Sequence, residues 1–108
     1  MLKFVEERSW EQPFTAPNIL PSTTFSPGNY VRVLANAGVI IRNSYQVIMD
    51  RSNKIALMPK NATAMIINHP ENGIAVDGYY WWYVQYGNQQ GWCAESDTGK
   101  KEIYLIRI

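Results

Sequence analysis

The chain has 108 residues, with ten Lys and Arg against nine Asp and Glu, so its formal net charge at pH 7 is +1. This length is typical of one domain with a small core. The charges are scattered, which argues against nucleic acid as a partner. One cysteine excludes an internal disulfide framework, and one histidine excludes the usual zinc ligand sets. The sequence predicts neither a metal nor a cofactor.

The first ten residues lack the features of a secretory signal. No apolar run approaches the roughly 20 residues that a membrane helix needs. We therefore expect no export and no membrane insertion, and a place in the cytoplasm or within an assembled particle. Residues 2–10 fit either a short strand or one amphipathic turn of helix.

Residues 1–28 are predicted to form a proline-rich extended N-terminal arm. Four prolines occur between residues 12 and 28: Pro13, Pro17, Pro21 and Pro27. Each removes a backbone donor and restrains the preceding residue toward extended geometry. The arm also has more apolar side chains than a solvated linker needs: Phe14, Ile19, Leu20 and Phe25. It could wrap its own domain or dock on a neighbouring subunit as an extended peptide.

Short apolar segments separated by turn residues follow, and they predict strands. They cover residues 29–35, 39–41, 55–58, 63–68, 78–86, 91–95 and 103–108. A long irregular hairpin loop is expected over residues 43–54, and residues 74–76 are expected to be a loop between Asn72-Gly73 and Asp77-Gly78. Five or six short strands without a convincing helix predict a small all-β barrel or sandwich over residues 29–108.

Residues 78–86 and 91–95 form the most ordered pattern, an aromatic hairpin closed by a tight turn. Alternation assigns Tyr80, Trp82, Val84 and Tyr86 to one face, and Tyr79, Trp81, Tyr83 and Gln85 to the other. We expect Trp82 and Val84 to face the core and Trp81 to face outward.

Four segments carry a family resemblance when taken in order. They are Tyr30-Val31-Arg32-Val33 with Gly38-Val39-Ile40-Ile41-Arg42-Asn43, then Leu57-Met58-Pro59-Lys60-Asn61, then Tyr80-Trp81-Trp82-Tyr83-Val84, and last Gly91-Trp92-Cys93-Ala94-Glu95. They resemble the opening strands, the diverging turn and the two tryptophan-containing strands of the bacterial Src homology 3 (SH3) family. The resemblance covers residues 29–108 and implies a small SH3-like barrel of five to six strands, with no counterpart for the arm.

The candidate reactive residues do not predict an enzyme. Cys93 stands where the family has Val or Ile, so we expect a small core residue, whose thiol would be inert, with an exposed Glu95 nearby. His69 precedes Pro70 and is expected to be a solvated turn residue. The acidic residues show no paired spacing on one element, so no general acid and base pair is indicated.

An aromatic shelf is the predicted binding site. Trp81 would be joined by Tyr45 from the long loop, by Tyr83 and by Trp92. Flat rings offer a large apolar area with little side-chain entropy to lose, so such shelves bind peptides or sugars. Three outcomes stay open: the shelf is covered by the chain's own arm through Phe14 and Pro17, is covered by a partner, or is an open ligand groove.

These observations predict a non-catalytic protein-binding or assembly module. It would act as a small subunit of a larger complex through its arm and its aromatic face, binding a protein partner or itself. The alternative, implied by the family resemblance, is a domain that recognises cell-wall peptidoglycan through its peptide or its glycan.

Overall fold

The computed structural model describes residues 19–108, which form an all-β domain. Its strands are β1 (Tyr30–Val33), β2 (Val39–Arg42), β3 (Lys54–Met58), β4 (Thr63–Ile66), β5 (Ile74–Val76), β6 (Tyr79–Tyr86), β7 (Gln89–Asp97) and β8 (Leu105–Arg107). All pairs are antiparallel within one sheet of order β3-β2-β7-β6-β4-β1-β8, and β5 pairs with β6. The described residues contain no helix. The predicted all-β class is confirmed, with eight strands where five or six were expected.

Seven of the eight strands fall on the apolar segments named above, and the eighth is β5. The prediction of a loop at residues 74–76 was wrong. Asp77 and Gly78 have φ angles of 55° and 85°. Two successive residues with positive φ make a tight turn whose twist suits a hairpin. Residues 74–76 therefore fold back on β6, with Val76 opposite Tyr79 and Ile74 opposite Trp81.

The other predicted turns lie where the sequence places them. Asn61 adopts a φ of 73°, the left-handed conformation that asparagine enters at low cost. Gly87, with a φ of 61°, opens the two-residue turn between Tyr86 and Gln89. Residues 43–53 form the predicted long loop between β2 and β3.

The main core lies on one face of the sheet. It consists of Phe25, Val31, Val33, Val39, Ile41, Met58, Ala64, Ile66, Trp82, Val84, Cys93 and Leu105. Trp82 and Val84 face this core as predicted. Burying these apolar side chains supplies the main driving force for folding.

A β-bulge in the aromatic hairpin lies at Glu95, and this residue is buried. Tyr80 pairs with Ser96 and Trp81 pairs with Ala94, so Glu95 is the extra residue on β7. Glu95 is 1% exposed, and the expectation that it is exposed was wrong.

Part of the predicted arm, residues 19–28, packs on its own sheet. The Phe25 ring is buried and lies 5.2 Å from the Trp82 ring, edge to face. The Ser22 N–H donates to the Gly73 carbonyl at 2.8 Å. A Cβ atom on Gly73 would lie 2.3 Å from the Ser22 carbonyl oxygen, so the close approach of the two chains requires glycine there. The arm thus contributes to the core from Phe25 onward.

The segment that precedes β8 runs beside β7. An isolated antiparallel bridge joins Ser96 of β7 to Ile103, shortly before β8. The Tyr104 N–H also donates to the Glu95 carbonyl at 2.8 Å. These contacts connect the segment that precedes β8 with β7, while β8 itself pairs with β1.

Candidate functional site

A second buried cluster lies on the face of β6 that points away from the main core. It consists of Val76, Trp81 and Trp92, with partly buried Tyr45, Ile74, Tyr79, Tyr83 and Ala94 packed against it. This second cluster contains four residues of the predicted aromatic shelf. The fold therefore brings Tyr45, Trp81, Tyr83 and Trp92 into one cluster, as predicted for the shelf.

Trp81 points away from the main core, as expected, but its side chain is only 1% exposed. It lies on the face predicted by alternation, opposite to Trp82, but that face is itself covered. The Trp81 indole N–H donates to the Val76 carbonyl at 2.8 Å, so the unforeseen strand β5 contacts it. Trp92 is also buried.

The rings of Tyr45 and Tyr83 pack around Trp92. The Tyr45 ring lies 5.0 Å from it at 90°, and the Tyr83 ring lies 5.2 Å from it. His69 adds a ring 4.6 Å from Trp92. His69 is half-buried, and its Nδ1 accepts a hydrogen bond of 3.1 Å from the Glu71 N–H, so it is less solvated than predicted.

Tyr45 ties the long loop to the turn before β5. Its hydroxyl lies 3.2 Å from each carboxylate oxygen of Glu71 and donates to that group. Burial, together with this hydrogen bond, raises the pKa of Tyr45. The tyrosine therefore stays protonated and acts as a structural donor.

An open groove lies beside the second cluster. Its volume is about 210 Å³, and it is lined by Gly38, Val39, Ile40, Arg42, Val47, Tyr79, Trp81, Ala94 and Tyr104. We call this the aromatic groove. Of the predicted site residues in the described chain, Trp81 lines the groove. Tyr45, Tyr83 and Trp92 belong to the second cluster and do not line it.

The aromatic groove contains one charged side chain, Arg42. This residue is 8% exposed, and its Nη1 donates to the Asn53 Oδ1 at 2.8 Å. Burial, followed by the charge of Arg51, lowers the pKa of the guanidinium, and Tyr79 acts in the opposite direction. The guanidinium remains charged at neutral pH, since an arginine does not lose its proton in proteins.

Asn53 organises the loop that borders this arginine. Its Nδ2 donates to the Gln46 carbonyl at 2.9 Å and to the Ser44 hydroxyl at 3.0 Å. The buried amide thus orients Arg42 with one end and closes residues 43–53 with the other.

Sequence reasoning missed Arg42, Asn53 and Tyr79 as site residues. Alternation did place Tyr79 on the Trp81 face, and Arg42 ends the apolar run of β2, so each had a weak signal. Asn53 had none, because an asparagine in a polar loop is indistinguishable from a solvated one. The predicted partner-binding residues Phe14 and Pro17 lie outside the described residues.

The candidate reactive and metal-ligating residues of the described chain lie apart from the aromatic groove. Cys93 is fully buried, as predicted, and burial raises the pKa of its thiol to about 12. Between residues 19 and 108 no three His, Cys, Asp or Glu side chains are grouped to hold a metal ion. The same part of the chain has no helix with the length and apolar character to span a membrane.

Comparisons of the chain with protein-family models, with curated proteins and with solved structures find no match.

Proposed function

We propose that this protein is a non-catalytic binding module that takes part in a larger assembly and binds a segment of a protein partner in the aromatic groove. The observation that carries the proposal is the groove itself: an open depression walled by Tyr79, Trp81 and Tyr104 with a buried cation, Arg42, in its lining. Aromatic walls and arginine are the residue types that dominate protein-binding surfaces.

The groove is built on a fixed frame, which favours binding. Trp81 is held by a hydrogen bond to β5, and Arg42 is held by Asn53. Little side-chain entropy is then lost when a partner is bound. The groove also presents Val47, which is partly exposed, at its edge on the long loop.

The proposed architecture is an SH3-like barrel. Two observations support it: the four family-like segments fall on β1 with β2, on the end of β3 with its following turn, on β6 and on β7, and the contacts of Ser96 and Tyr104 lead the chain end from β7 toward β8. The groove has Val47 of the long loop on one side and Tyr79 and Ala94 of the aromatic hairpin on the other.

The proposal is tested by selecting random peptides on the wild-type protein, with counter-selection on an Ala94→Leu variant whose added side chain fills the groove. We expect peptides that bind the wild type and not the variant. A Thr63→Leu variant, which adds the same side chain at an exposed position on β4, is the control and should retain binding. Recovery of peptides that bind all three proteins equally, or of none, would contradict the proposal.

Cell-wall recognition remains the second candidate function, and it is tested in parallel by sedimentation with purified peptidoglycan. Loss of sedimentation in Ala94→Leu would assign the groove to cell-wall peptide or glycan. Sedimentation that Ala94→Leu leaves unchanged would exclude the groove from that role.

A further inference from the structure

Arg42 is a buried charge whose described hydrogen-bond partner is neutral. It is 8% exposed, and the hydrogen bond that it makes among residues 19–108 goes to the amide of Asn53. The ion pair in this part of the chain lies elsewhere, between Lys100 and Glu95. Removing a charge from water is costly unless an opposite charge compensates it.

The surroundings of Arg42 increase the attraction for an anion. Burial and the nearby positive charge of Arg51 both disfavour the charged guanidinium. A carboxylate placed against it would relieve both effects, since ion pairs are stronger where water is excluded. The guanidinium has five N–H donors in a planar fork that matches a carboxylate.

The size of the aromatic groove limits what it can hold. Its volume of about 210 Å³ is below the roughly 300–1,000 Å³ typical of small-molecule pockets. It therefore suits one side chain of a longer ligand. Trp81 and Tyr79 make its walls apolar, so that side chain is apolar or aromatic.

We propose that the aromatic groove binds a peptide in which a carboxylate adjoins an apolar side chain, with Arg42 pairing with the carboxylate and the Tyr79 and Tyr104 rings contacting the side chain. This inference rests on the proposed function at the same groove. The carboxylate can be a peptide C-terminus or an acidic side chain, and the experiment below distinguishes the two.

Three blocked probes test the proposal by two-dimensional ¹H–¹⁵N NMR titration. N-acetylphenylalanine carries a terminal carboxylate, N-acetylphenylalanine amide carries none, and N-acetyl-aspartyl-phenylalanine amide carries a side-chain carboxylate. We expect at least one acid probe to shift the Trp81 indole signal and the Gly38 and Ala94 amide signals. Its Kd should be at least about tenfold lower than that of the neutral amide, the effect of a hydrogen bond to a charged group.

In Arg42→Gln the acid and amide probes should bind equally, whereas the control Arg107→Gln should keep the preference, because Arg107 is exposed on β8 outside the groove lining. Equal binding of acid and amide to the wild type would overturn the carboxylate inference and leave the groove as a peptide site. No shift with any probe at millimolar concentration would overturn both. The wild-type comparison does not depend on whether Arg42→Gln folds.

Discussion

The indole Nε1 of Trp82 donates a 2.8 Å hydrogen bond to the Oε1 of Glu95, at the point where the core meets the N-terminal arm. The same oxygen accepts a hydrogen bond of 2.8 Å from the Ser22 hydroxyl, and the Oε2 is paired with Lys100 at 2.6 Å. One buried carboxylate thus joins the arm, the core tryptophan and the loop after β7.

Replacing Glu95 with Gln should destabilise the protein by about 1.5–3 kcal/mol at neutral pH, the usual value of hydrogen bonds to a charged group. Urea unfolding measures the change. Glu102→Gln is the control, because Glu102 is exposed and its change should cost less than about 0.5 kcal/mol. If the two substitutions lowered the free energy of unfolding equally, the buried hydrogen bonds of Glu95 would contribute nothing to stability.

The stability that Glu95 contributes should depend on pH. Burial alone would raise the pKa of this carboxyl, but hydrogen bonds from Lys100 and Trp82 outweigh burial, and the pKa is lowered. The folded pKa lies below the unfolded value of about 4.3, so the contribution is full above that pH and is lost as the pH falls through the folded pKa. Unfolding free energies of wild type and Glu95→Gln should converge on acidification. If the difference between the two unfolding free energies increased as the pH fell, the lowered pKa of Glu95 would be contradicted.

Phe25 should be required for stability although it precedes the predicted barrel. Phe25→Ala should cost about 3–5 kcal/mol, the range for deleting a buried aromatic ring. Leu20→Ala is the matched control, since Leu20 is 82% exposed.

For the same reason, a chain that starts at Ile19 and keeps Phe25 should fold. A chain that starts at Gly28 and lacks Phe25 should unfold at a lower temperature than the chain that starts at Ile19. Equal unfolding temperatures of these two chains would contradict the packing of Phe25 in the core.

Asn53→Ala should loosen the long loop and free the Arg42 side chain. Loss of the buried amide should cost about 1–3 kcal/mol, because its partners are left without hydrogen bonds. Hydrogen exchange over residues 43–53 should become faster. Asn43→Ala in the same loop is the control, because the exposed Asn43 uses its backbone N–H, not its side chain, to reach the Asn53 carbonyl.

Cys93 should resist thiol reagents in the folded protein. Burial raises its pKa to about 12, so almost no thiolate exists at neutral pH. Labelling with a disulfide reagent should proceed at the rate of protein opening and become fast in urea. Rapid labelling without denaturant would contradict the burial of Cys93 and reopen a reactive role.

Local signals in the sequence were sufficient for most of the fold. Asn61 and Gly87 mark turns because their conformations are rarely accessible to other residues. Alternation on β6 separated Trp82 from Trp81 correctly, since successive side chains of a strand point to opposite faces. The strands on either side of these turns followed from their apolar and aromatic residues.

The candidate site depended on contacts that alternation does not encode. Trp81 is buried in the second cluster, where its indole N–H donates to the Val76 carbonyl of β5. The short segment Ile74–Val76 was too weak a pattern to predict as a strand. Glu95 lies two residues after the core residue Cys93, and its carboxylate is buried by Trp82, by Lys100 and by Ser22 of the arm. Arg42 and Asn53 lie at the two ends of an irregular loop and are joined by a hydrogen bond. A periodic pattern of apolar residues cannot predict such a contact.

The central claim is that the aromatic groove binds a peptide segment, and calorimetric titration of a peptide selected on the wild type tests it most directly. We predict measurable affinity for the wild type and for Thr63→Leu, and a loss of at least about tenfold in Ala94→Leu, which corresponds to about 1.4 kcal/mol. Thermal unfolding should show that all three proteins are folded. Equal affinity for Ala94→Leu and the wild type would place binding outside the groove and contradict the claim.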